Sequence, residues 1–118
     1  MKRFLPILLV LLTVAAPSRA QLLNWAADFP KDADNITITM DASKGNQGLL
    51  NYSPVSDVYV HVGVITNLST SPSDWRYVKF TWGSTPAAAQ ATSLGGNKWQ
   101  YTITNIRSFF AVPAGETI

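Results

Sequence analysis

Hydrophobic and polar residues alternate most regularly between positions 57 and 83, DVYVHVGVITNLSTSPSDWRYVKFTWG. Val58, Val60, Val62 and Val64 fall on one side of an extended chain, and Tyr59, His61, Gly63 and Ile65 on the other. Both sides are largely apolar, so 58–65 is expected as an interior strand. A polar turn over 67–73, broken by Pro72, leads to a second expected strand at 75–82. There Trp75, Tyr77, Lys79 and Thr81 share one face, and Arg76, Val78, Phe80 and Trp82 the other.

The same period of two marks 35–40 (NITITM), where Ile36 and Ile38 alternate with threonines as in a half-buried strand. It returns at 98–104, with Trp99, Tyr101 and Ile103 on one face. Gly95-Gly96-Asn97 ahead of that segment is a hairpin signal, because all three residues tolerate a positive φ. Residues 88–94 are expected as a weak strand, 41–54 as a long loop pinned by Leu49, Leu50 and Tyr52, and 21–34 as an extended lead-in. No segment passes the helix period, and no repeat is visible. Several short strands separated by turns predict an all-β antiparallel sandwich.

The ends change the picture of charge. Lys2 and Arg3, an apolar run over 4–16, and small residues at Ser18 and Ala20 predict a cleavable signal peptide over 1–20. The run of about 13 residues is shorter than the roughly 20 that span a bilayer. The chain carries nine basic and seven acidic residues, and three of the basic ones lie in that leader. The exported part, 21–118, therefore has six basic residues against seven acidic, a net charge of −1. That excludes nucleic acid as a partner, since its recognition rests on clustered Lys and Arg. With no cysteine, one small secreted domain must be held by its core. Its four tryptophans and four tyrosines supply the bulk.

Candidate chemistry is sparse. The seven acids sit at loops or strand ends, where Asp serves as a turn residue, and no pair suggests the two carboxylates of glycoside hydrolysis. His61 is the only histidine and lies on a strand without a nucleophile motif nearby. One histidine and no cysteine leave too few ligands for zinc, and DADN at 32–35 lacks the spacing of a calcium loop. No cofactor or metal is expected. The aromatic residues are more informative, because a flat ring offers an apolar face on which the C–H face of a sugar can stack. Trp82 and Trp99 are expected first as core residues, and Trp75 stands beside a turn. In a carbohydrate-binding reading the platform consists of Trp75, Tyr77 and Trp99.

The segments ITITMDASKGNQGL, DVYVHVGVITNLSTSPSDWRYVKFTWG, LGGNKWQYTI and IRSFFAVPAGETI carry a resemblance over 35–118. In order and spacing they resemble the N-terminal immunoglobulin-like β-sandwich module of secreted Bacteroidetes α-amylase-type glycoside hydrolases and related glycan-utilisation proteins. With the signal peptide at 1–20 and the lead-in at 21–34 read from the residues, the resemblance implies that the sandwich is the third unit, at 35–118. In that family the GET segment leads into a further strand and then a catalytic or second accessory domain. It implies that the sandwich is C-terminally incomplete, lacking its last strand or strands. A (β/α)₈ barrel takes about 250 residues, so this chain is expected to be non-catalytic. The implied role is packing against or orienting a downstream catalytic domain in starch or α-glucan degradation. The alternatives are an independent carbohydrate-binding module or a structural cell-surface domain. A sandwich without its late strands is expected to be marginally stable, with an unpaired edge and uncovered core. Sequons at Asn35, Asn51 and Asn67 carry no weight if the bacterial resemblance holds.

Overall fold

A computed structural model describes residues 21–118. The leader expected over 1–20 lies outside the described residues. The fold is mostly β, built on one four-stranded antiparallel sheet in the order β1-β2-β4-β3. The strands are β1 (Leu23–Ala26), β2 (Ile36–Asp41), β3 (Thr92–Gly95) and β4 (Lys98–Ile103).

The register explains why β2 and β4 form the centre. Ile36, Ile38 and Met40 stand opposite Ile103, Tyr101 and Trp99, while Thr37, Thr39 and Asp41 face Thr102, Gln100 and Lys98. Residues directly opposite share a face, so one side of the sheet is apolar and the other polar. The Thr37 and Thr102 hydroxyls meet at 3.0 Å on the polar side. The β3–β4 hairpin turns at Gly95, Gly96 and Asn97, with φ of 75°, 57° and 61°, as its residues predict.

Four expectations are refined or corrected. The lead-in contains β1, which pairs with β2 and sets Leu23 and Trp25 opposite Met40 and Ile38. Residues 88–94 divide into a 3₁₀ turn, Ala87–Ala89, and β3. Residues 105–112 hold a one-turn helix, α1 (Ile106–Phe110), too short to show a period. Asn105 caps it by accepting Ser108 N at 3.1 Å.

The fourth concerns 58–65 and 75–82, which run extended over the apolar face without forming a ladder. They join their neighbours at two isolated bridges, Tyr59 with Gln90 and Val64 with Arg76, and through the single bond from Lys79 N to Val62 O. No closed second sheet forms among the described residues. Tyr77 is one cause, because its backbone turns left-handed at φ 52°. That bend interrupts the alternation on which a ladder depends. Gly63 lets the two segments approach closely: a Cβ there would lie 3.2 Å from Arg76 O and 3.3 Å from the Trp75 Cβ.

Two apolar clusters fill the space between the layers. One joins Ala42, Val58, Ala91 and Trp99; the other joins Val64, Ile103, Phe110 and Val112. The long loop over 42–57 is fastened to the β3–β4 hairpin. Asn97 accepts Asn51 N at 2.6 Å on its side-chain oxygen and Ala42 N at 2.9 Å on its carbonyl. Trp99 Nε1 donates to Val55 O at 2.8 Å.

Candidate functional site

Two features of the loosely paired layer stand out, and His61 belongs to both. The first is a main-chain edge. Along 58–64 the even residues are bonded: Val58 O and Val60 N to Ala91 N and Ala89 O, Val62 O to Lys79 N, and Val64 N and O to Arg76. The odd residues Tyr59, His61 and Gly63 make no main-chain hydrogen bond among the described residues. In an extended chain odd and even residues direct these groups to opposite sides, so one whole edge is open. Nearby runs an apolar groove of about 260 Å³ lined by Leu23, Met40, Leu49, Val58, Val60 and Trp99. Leu23 in its lining remains 44% exposed, and Trp25, on the same face of the sheet, 53%.

The second is an aromatic cleft on the side to which Tyr59 and His61 point. The His61 ring stacks against Trp75 at 6.1 Å between centroids and meets Trp82 edge-on at 5.0 Å. Its Nδ1 is buried and has no hydrogen-bond partner among the described residues. The cleft, about 520 Å³, lies between Tyr52, Asp57 and Tyr59 on one wall and the turn carrying Thr81, Trp82 and Thr85 on the other. Tyr52 OH donates to Asp57 at 3.1 Å, and that bond pushes the Tyr52 phenol up. No lysine or arginine lines the cleft.

The platform residues expected from sequence do not share a surface. Trp99 is only 3% exposed and packs in the core, so it presents no ring to a ligand. Tyr77 packs on the second cluster, and its hydroxyl bonds Glu116. Trp75 is half exposed beside His61. Trp82, expected in the core, is 78% exposed and stands at the cleft. Strict alternation puts Trp75 and Trp82 on opposite faces, yet the bends at Tyr77 and Phe80 bring both beside His61. Neither bend has a glycine or proline to announce it.

Glu116, read as a loop acid, is buried. It accepts Thr66 Oγ1 at 2.5 Å and Arg76 Nε at 2.9 Å, as well as the Tyr77 hydroxyl. The Thr66 hydroxyl foremost, then Tyr77 and Arg76, hold its carboxyl below the usual glutamate range against the cost of burial. Every oxygen of this acid is engaged, which suits anchoring rather than proton transfer. Among the described residues no three of His, Cys, Asp and Glu come together as a metal site. No protein-family model, curated protein or solved structure matches this chain.

Proposed function

We propose that the protein is a non-catalytic accessory module of a secreted α-amylase-type glycoside hydrolase. Its open layer packs against the catalytic domain and orients it on starch or α-glucan. The resemblance names the partner. The observation that supports packing is the unpaired edge of Tyr59, His61 and Gly63 near the apolar groove. Unpaired main-chain groups next to exposed apolar surface are stabilised by a covering partner that supplies both hydrogen bonds and apolar contact.

The test is association between this chain and purified α-amylase-type catalytic domains from the same genome, followed by sedimentation without glycan present. A one-to-one complex is expected, weakened when a charge enters the groove in Leu23→Asp. Absence of a complex with every such domain would overturn the reading.

A further inference from the structure

The aromatic cleft has a chemistry of its own, independent of any neighbouring domain. Trp82 leaves 78% of its surface in water, a costly position for the largest apolar side chain in a domain without cysteines. Its ring is held in place by the edge-on contact with His61, which in turn stacks on Trp75. The indole is therefore positioned before any ligand arrives, and positioning in advance lowers the ordering cost of binding.

The rim decides what such a ring would hold. Asp57 and the hydroxyl-bearing residues Tyr59, Thr81, Ser84 and Thr85 line the cleft, with the Ser84 hydroxyl donating to Thr81 O at 2.6 Å. The Tyr59 hydroxyl has no hydrogen-bond partner among the described residues, and Asp57 spends one oxygen on Tyr52 and keeps the other. With no basic residue in the lining, phosphate or sulfate groups have no counter-charge here. A lone carboxylate already bonded to a phenol, in a lining that also carries hydroxyl-bearing residues, suits a ligand rich in hydroxyl groups better than a cation. The volume of about 520 Å³ falls within the roughly 300–1,000 Å³ of small-ligand pockets.

We propose that the cleft between Tyr59 and the Thr81–Thr85 turn binds a neutral pyranose unit of a glycan. The sugar stacks its C–H face on Trp82, and its hydroxyl groups donate to Asp57 and exchange hydrogen bonds with Tyr59. His61 and Trp75 act as positioning residues, keeping the indole plane fixed. The site excludes Trp99 and Tyr77, which are engaged elsewhere.

The experiment is calorimetric titration of the protein, produced from its first residue and purified in the form the cells release. Maltoheptaose, cellohexaose and mannohexaose are the probes, with tetramethylammonium as a cationic control. Saturable binding of at least one oligosaccharide is expected. Trp82→Ala weakens it by at least about tenfold, the scale of one lost aromatic contact. Asp57→Asn weakens it by about tenfold, the scale of a hydrogen bond to a charged group. Trp25→Ala, an exposed tryptophan on β1 away from the cleft, leaves affinity unchanged. Trp82 is exposed, so its truncation spares the core, and circular dichroism checks that the variant remains folded. Trp82→Phe, which keeps a ring, retains part of the affinity and separates stacking from folding. Failure of all three oligosaccharides, full binding by folded Trp82→Ala, or a preference for tetramethylammonium would each overturn the proposal. None of these outcomes touches domain association, which is read without glycan.

Discussion

Trp99 and Trp82 sit in opposite surroundings, although their sequence contexts look alike. Each closes or opens an extended run beside a glycine turn, and alternation gives each an apolar neighbour set. Trp99 is 3% exposed, lies opposite Met40 in the register and donates its indole N–H to Val55 O. Trp99→Ala should therefore cost about 3–5 kcal/mol, the range for a buried aromatic truncated to alanine. That loss is a large part of a small domain's stability, and urea unfolding reads it directly. A cost below about 1 kcal/mol would mean that the cluster of Ala42, Val58 and Ala91 does not depend on the indole. For Trp99 the sequence was readable, because β4 is a strict alternation paired to another. For Trp82 it was not. The alternation that sets its face passes through Tyr77, and Tyr77 turns left-handed while its hydroxyl reaches Glu116, 39 residues later. No local pattern reports such a distant partner.

At the scale of elements, the segment after α1 is held by two side chains of opposite charge. Arg107 donates to the carbonyls of Pro113 and Glu116, both at 2.8 Å, and to Asp32 at 2.7 Å. Glu116 binds the 66–77 region through Thr66, Arg76 and Tyr77. The folded-state affinity of Glu116 for a proton is lowered, so its contribution to stability is complete above the ordinary glutamate value of about 4.3. It is lost as the pH falls from there through the folded-state value. The urea midpoint should drop on acidification below about pH 4.3. Glu116→Gln should be less stable at neutral pH and should show a shallower acid dependence. The remainder belongs to Asp41 and Asp74, held low by Ser43 and Thr70. An unchanged acid slope in Glu116→Gln would detach this network from stability. The elements readable in advance, β2, β4 and the turn that leads into β4, are those whose pattern is complete within six residues. β1 is four residues long, and α1 is a single turn made by the Asn105 cap. β1 depends on β2, and the first amides of α1 end on the distant carbonyls of Asp34 and Asp32, partners that a window of sequence does not contain.

For the whole molecule, the sheet is finished and the layer above it is not. β2 and β4 are flanked on both sides by strands, whereas 58–65 has one bonded edge and one open edge. A mostly β chain was legible from periodicity; the absence of helix and a closed sandwich were extrapolations from the number of strands. Closure requires that the second layer pair with itself, and the bends at Tyr77 and Phe80 cut the antiparallel pairing of 75–82 with 58–65 down to the Val64–Arg76 bridge and the Lys79 N to Val62 O bond. Any partner that binds only the folded form raises its stability in proportion to the logarithm of its concentration. The accessory-module and glycan readings therefore each imply a thermal shift with their own ligand.

The loop over 42–57 has no regular structure, but through Asn97 it belongs to the hairpin in time as well as in space. The Ala42 and Asn51 amides both end on that one residue, at 2.9 and 2.6 Å. Amides whose acceptors open together exchange with solvent together. In deuterium-exchange measurements these two should be released at the rate of the β3–β4 turn, far slower than a surface loop. Asn97→Ala should accelerate Asn51 first, since it removes the side-chain acceptor and leaves the carbonyl. A loop that looks like slack in the chain would then be the clock by which the hairpin's opening is read.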